Sequence, residues 1–205
     1  MIGAIIHGFI LALGLILPLG VQNVFVFNQG ATQPKFRKAL PVIITASVCD
    51  TILILLAVLG VSVLVLQFDW LKTALFAAGI VFLLYMGWMT WRSKTASRTD
   101  SASEALGAKK QIAFAASVSL LNPHAILDTV GVIGTGSLQY GGAEKAAFAA
   151  ACIAISWLWF TSLAAAGRLA GNLDKSGRLM VVLNKMSAVV MWGTGVYLAA
   201  GLLGE

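Results

Sequence analysis

From residue 39 to residue 66 the chain runs for 28 residues with a single charged side chain, Asp50. Coiled into a helix, that stretch would reach roughly 42 Å at about 1.5 Å per residue, more than the ~30 Å hydrocarbon core of a bilayer. It has no polar face to offer water, so lipid is the solvent it suits. Five more stretches share the property, and the six run approximately over 2–28, 39–66, 71–91, 112–137, 146–167 and 179–203. Composition agrees: of 205 residues 59% are hydrophobic and 11% charged, against about a quarter charged in soluble domains. The formal charge of +6 is therefore read by its position along the chain, and a nucleic-acid partner is excluded. Cys49 and Cys152 both fall inside apolar stretches, which argues against a disulfide or a redox pair.

Lysine and arginine near membrane helices mark the cytoplasmic side. The first connection holds Lys35, Arg37 and Lys38; the third holds Arg92, Lys94, Arg98, Lys109 and Lys110; the fifth holds Arg168, Lys175 and Arg178. The second and fourth hold only Lys72 and Lys145. Six crossings then place both termini outside. If segment one were re-entrant, five crossings would remain and the N-terminus would lie inside. No Lys or Arg precedes Lys35, so residues 1–29 lack the positive start of a signal peptide and are read as structure. Trp70 and Trp91 bracket segment three at headgroup depth.

The Ser- and charge-rich stretch 93–110 reads as a cytoplasmic linker joining halves 1–92 and 111–205 of one transporter domain. Each half opens with a segment broken by proline, at Pro18-Leu19-Gly20-Val21-Gln22-Asn23 and at Asn122-Pro123-His124. The fold class predicted is an all-α polytopic membrane bundle, six segments as 3+3 inverted repeats with segments one and four broken. Non-helical backbone at membrane depth is tolerated where it is buried in protein or lines a cavity, which makes the paired breaks the candidate binding site. Asn122 suits a cap and Pro123 a first helical position; Gly20 relaxes the backbone at the first break, where Gln22 and Asn23 supply amides. A half-helix starting there presents free N–H groups and the positive end of its dipole to an anion such as a carboxylate.

Asp50 lies about eleven residues into segment two, on the order of 17 Å deep, with Ser47 and Thr51 forming a polar stripe beside it. Asp128 follows Pro123 by about one turn. An intramembrane acid costs roughly 2.5–3.5 kcal/mol on the insertion scale, so both acids should face the interior and mark a cation path. His124 is a candidate proton relay. Lys185 either snorkels to the inner headgroups or pairs with Asp50. Gly8, Gly14, Gly60, Gly79, Gly87, Gly131 and Gly193 should permit close helix contact.

The run Gly14-Leu-Ile-Leu-Pro18-Leu-Gly20-Val-Gln22-Asn23-Val-Phe-Val-Phe-Asn28-Gln29-Gly30, with Cys49-Asp50 and Leu121-Asn122-Pro123-His124 followed by Asp128, resembles the LysE family of bacterial amino-acid exporters, most closely its lysine- and arginine-exporting branch. The resemblance covers nearly the whole chain. One departure is Val21, where the family usually has proline before Gln-Asn. The resemblance implies efflux of L-arginine or L-lysine across the bacterial inner membrane, with Asp50 and Asp128 at acidic positions of that branch. Substrate binding is expected from Asp50, Asp128, Pro18, Gly20, Gln22, Asn23, Asn122 and Pro123, and proton coupling from Asp50, Asp128 and His124. No cofactor or metal is expected, and the partners are a small amino acid, H⁺, the bilayer and a second copy of the chain in a homodimer. The alternative on the same fold is an exporter of neutral amino acids of the threonine or homoserine type. An intramembrane enzyme is disfavoured because the chain offers no CxxC pair, metal cluster or nucleophile–base pairing; a channel or scaffold is disfavoured by the broken helices with buried acids.

Overall fold

The computed structural model describes residues 1–17, 20–60, 69–92, 106–120, 125–126, 129–173 and 178–203. Among them every regular element is helical. Segment one is two helices, α1 (Ile2–Ile16) and α2 (Val21–Thr32), which meet at 80°. A 3₁₀ turn (Phe36–Ala39) leads into α3 (Leu40–Val58), with Pro41 in the first turn, where its missing N–H costs no intrahelical bond. Then come α4 (Asp69–Arg92), α5 (Ala108–Leu120), a turn of π-helix (Thr129–Gly134) running into Thr135–Ser137, α6 (Gly142–Leu173) and α7 (Arg178–Leu203). Each of the six apolar stretches holds helix among the described residues, with shifted ends: segment one continues to Thr32 and segment five fills all of Gly142–Leu173. Residues 36–58 and α6 are each long and apolar enough to cross a membrane, as is the bent pair α1–α2 taken together.

α6 is the post on which α1, α2 and α3 are arranged. α1 and α2 follow it in the same direction: the Met1 amine lies 2.5 Å from Glu144, Gly8 faces Phe148, Gly30 faces Ala164, and the Gln33 carbonyl meets Arg168. α3 runs the opposite way. Its start clusters with Phe160 and Ala164, its middle meets Ser156, and Ile54 and Val58 pack with Cys152 and Phe148 near its end. α5 starts beside Lys38, and Gly134 of the π turn stacks against Ala57, so segment four follows α3. α4 and α7 pack antiparallel, with Trp192 Nε1 donating to the Leu84 carbonyl and Lys185 lying over Trp91. Through Leu83, Met191, Val118 and Val21 that pair joins the first helices of both halves.

The arrangement brings Lys35, Arg37, Lys38, Lys109, Lys110 and Arg168 to one end, since residues 33–38, the start of α5 and Arg168 are hydrogen-bonded together. Met1 and Glu144 occupy the other end.

Small residues set the tightest approach. A Cβ on Gly30 would come within 2.1 Å of the Ala164 carbonyl oxygen, and one on Gly167 within 2.1 Å of the Phe27 oxygen, so α2 and α6 touch backbone to backbone. The glycines expected to permit close contact divide. Gly8 and Gly87 do so, while Gly14, Gly131 and Gly193 have nothing within 4 Å of where a methyl group would stand, and Gly60 instead takes φ +78 in a turn that ends α3. Gly79 falls within α4, and its surroundings lie outside the described residues. The linker expected over 93–110 lies outside the described residues as far as position 105; from Ala108 it is already helix α5.

Candidate functional site

Asp50 is the eleventh residue of α3, about 15 Å along its axis. It lies in the middle of the helix's buried face, flanked by Ala46, Ser47, Leu53 and Ile54. The hydroxyl of Ser156, 2% exposed on α6, donates to Asp50 Oδ2 at 2.9 Å. Gln22, on the first turn of α2, turns its side-chain amide toward the same carboxylate. Three helices, from both sides of the chain, therefore converge on one acid. Thr51 does not share that position: its hydroxyl donates to the Ser47 carbonyl at 2.7 Å and accepts from Trp157 Nε1 at 3.1 Å, one step around the helix. The polar stripe expected at Ser47, Asp50 and Thr51 is split accordingly.

The first break has a visible chemistry. α2 begins at Gly20, whose side carries no capping side chain, so the N–H groups of its first turn are left without helical acceptors. Gly20 itself sits at φ −80 and ψ 175, extended backbone open to any residue. The expected relaxing role of this glycine is therefore not used. Asn23 is committed on both sides of its amide, donating to the Ile16 carbonyl at 2.7 Å and accepting from Trp159 Nε1 at 3.1 Å. It closes the end of α1 and ties the break to α6, which makes it a positioning residue. Pro18, Asn122, Pro123, His124 and Asp128 lie outside the described residues, so of the expected site residues Asp50, Gly20, Gln22 and Asn23 are seen together. After the second break comes the π turn Thr129–Gly134, in which Thr135 Oγ donates to the Gly131 carbonyl. Single π turns in membrane helices commonly mark functional positions.

Lys185 does not approach Asp50. It is exposed, with Nζ 5.5 Å from the Trp91 ring centroid, beside Arg92 stacked 4.4 Å over Trp88. This is the arrangement of cations and indoles at headgroup depth.

Both ends of the bundle are tied. At the basic end Gln33 Nε2 donates to Gln29 Oε1 and to the Leu106 carbonyl, both at 3.0 Å, and Gln111 Nε2 donates to the carbonyls of Lys38 at 3.0 Å and Leu106 at 2.8 Å. Arg168 completes the clasp, with Nη1 2.6 Å from the Gln33 carbonyl and Nη2 3.0 Å from that of Pro34. At the far end Tyr140 Oη and Gln139 Nε2 each lie 3.0 Å from His7 Nδ1. Sequence reasoning passed over Ser156, Gln33 and Gln111; their signal is a lone polar residue in an apolar run, visible at Ser156 between Ile155 and Trp157 but silent about its partner. Among the described residues no three His, Cys, Asp or Glu side chains come together.

A family model described as LysE type translocator matches residues 13–201. The chain belongs to this family. YisU of Bacillus subtilis (strain 168), named there as a proposed amino-acid transporter, is 60% identical over 199 residues, covering 97% of this chain and 90% of that protein. Arginine exporter protein ArgO of Salmonella typhimurium (strain LT2) is 35% identical over 195 residues, 94% of this chain and 91% of its own length. ArgO of Pectobacterium carotovorum subsp. carotovorum (strain PC1) is 32% identical over 202 residues, 97% of this chain and 98% of its length. No solved structure matches the chain.

Proposed function

We propose that this LysE-family protein is a secondary active exporter of basic amino acids, arginine foremost and lysine with it, that crosses the bacterial inner membrane six times and exchanges substrate for H⁺. The observation that carries the reading is the Asp50 carboxylate at mid-helix depth, held by Ser156 and faced by Gln22 at the uncapped start of α2. Such a place offers a cation a counter-charge and an anion the positive end of a helix dipole. The relatives named as arginine exporters support arginine as the substrate.

Packing supports 3+3 repeats. Segment one lies on segment five as segment four lies on segment two, while two meets five and three meets six. Exchanging the halves leaves that set of pairings unchanged, as a pseudo-two-fold axis requires. A complete crossing by segment one is supported as well. Its two ends meet Glu144 and Arg168 on one helix, positions roughly 36 Å apart at about 1.5 Å per residue, more than the ~30 Å hydrocarbon core. With the basic end in the cytoplasm both termini are outside, and the two ties at the ends are the contacts that alternate.

Export of a monocation against an inside-negative potential costs about 2.3 kcal/mol per 100 mV, so uphill flux needs an inward ion. The sequence has no GxxxxGK[ST] loop for ATP. Asp50 holds substrate and proton in turn, Asp128 and His124 serving the same path from the second break. Counterflow in proteoliposomes loaded with unlabelled arginine tests the substrate: labelled arginine should accumulate and lysine should compete. Accumulation with threonine or homoserine but not with arginine would replace this reading with the neutral branch.

A further inference from the structure

At the end of the bundle away from the basic clasp, one imidazole ties α1 to the turn that follows the π-helix. His7 Nδ1 has two polar neighbours at 3.0 Å, the Tyr140 hydroxyl and Gln139 Nε2. The second of them fixes where the ring's proton lies. Gln139 Nε2 also donates to the Gly136 carbonyl at 3.1 Å, so the group facing His7 is the NH₂ of that amide, which has hydrogens to give and no lone pair to offer. Nδ1 is therefore bare and accepts, and the neutral ring carries its proton on Nε2. Packing holds the ring in this place. Its centroid lies 5.5 Å from that of Phe148 and 5.8 Å from that of Tyr140, and one turn further along α1 Leu11 meets Gly136.

A second proton on the ring would treat the two contacts unequally. With Nδ1 protonated, the Tyr140 hydroxyl can turn and accept from it, whereas the Gln139 NH₂ would set one N–H against another and has to leave. Turning that amide over to present Oε1 would place an oxygen against the Gly136 carbonyl, so one bond is lost either way. Histidine is the side chain that ordinarily changes charge between about pH 5 and 8. On the elements packed against α1 the other titratable groups at this end are Tyr140 itself, Glu144, which is engaged with the Met1 amine, and Lys145. We propose that His7 is a proton-operated latch: neutral, it holds α1 to residues 136–140 and keeps this end closed, and protonated from the outer side it releases Gln139 and loosens that end. The incoming ion would then act first at the outer tie and afterwards at Asp50.

The proposal rests on the six-crossing, alternating reading given above and deepens it. Its test follows opening directly and needs no transport. Ala4, buried one turn before His7 in the same cluster as Phe148, is replaced by cysteine in a chain with Cys49→Ala and Cys152→Ala, and right-side-out membrane vesicles receive an impermeant maleimide from outside. Each rate is divided by that of the detergent-unfolded chain at the same pH, which removes the thiol's own pH dependence. From pH 7.5 to 5.5 the relative rate should rise about two- to tenfold, the loss of one hydrogen bond. His7→Phe, which keeps a ring in the seat and has no acceptor, should label fast at both pH values. Gln139→Leu should abolish the acid response and Tyr140→Phe should keep it, while Gln139→Glu, whose carboxylate accepts from Nδ1–H, should reverse its sign. No acid response in the native sequence, or the full response retained in Gln139→Leu or His7→Phe, would overturn the latch. Labelling from the cytoplasmic side alone would instead overturn the topology on which it stands.

Discussion

Replacing Gly167 by alanine adds one methyl group at one of the two closest points between α2 and α6. That Cβ would lie 2.1 Å from the Phe27 carbonyl oxygen, 2.9 Å from its carbon and 3.2 Å from its Cα. All three atoms are backbone, so no rotamer relieves the clash; α2 must move away from α6 by more than an ångström. Overpacking of this kind costs typically 1–3 kcal/mol, and with no side chain to yield we take about 3. Alanine returns up to about 1 kcal/mol of helix propensity, leaving a net loss of about 2 kcal/mol. At about 2–4 °C per kcal/mol for a chain of this size, the midpoint falls by roughly 4–8 °C. Gly193→Ala is the matched control, because nothing lies within 4 Å of its added methyl. It carries the propensity gain without the clash and should leave the midpoint unchanged or raise it by about 2–4 °C. Thermal unfolding of the detergent-solubilised protein, followed by tryptophan fluorescence, measures both. Equal midpoints for the two variants would refute the backbone contact between α2 and α6, and with it the placement of the inner half-helix.

Asn23→Leu should destabilise by about 2–6 kcal/mol in the same assay, since it strands the Ile16 carbonyl and the Trp159 indole N–H in the interior at about 1–3 kcal/mol each. Arg168→Met removes two charge-assisted bonds from the clasp at the basic end. With Cys49 and Cys152 replaced by alanine and Gln29 by cysteine, it should speed labelling by an impermeant thiol reagent from that side about tenfold, a change of roughly 1.4 kcal/mol in the opening equilibrium. An unchanged labelling rate would show that the clasp does not hold that end shut.

The helices were legible because the bilayer sets a length and a polarity that few sequences meet by accident, and among the described residues helices stand within the apolar stretches. The break at Pro18 was legible through its chemistry, since a proline with neighbouring amides inside a 27-residue apolar stretch has few structural uses. What each amide does there was not legible. Gln22 and Asn23 are adjacent and chemically alike, yet one faces Asp50 and the other is consumed in closing α1. Only the neighbours they meet on other helices, Asp50 for one and Trp159 for the other, separate them. Glycine misled for a related reason: Gly193 and Gly167 look equivalent in sequence, but whether a backbone lies opposite depends on a neighbour from another part of the chain. Ser156 shows the same limit, because its value comes from an acid 106 residues away.

The central claim is that one carboxylate, Asp50, exchanges substrate for a proton. Efflux of preloaded labelled arginine from proteoliposomes, with and without an inwardly directed proton gradient, tests it directly when the native chain is compared with Asp50→Asn. Gradient-driven efflux is expected from the native protein and none from the variant, whose unfolding midpoint shows it to be folded. Full gradient-driven efflux from Asp50→Asn would contradict the claim and leave the carboxylate with a structural role alone.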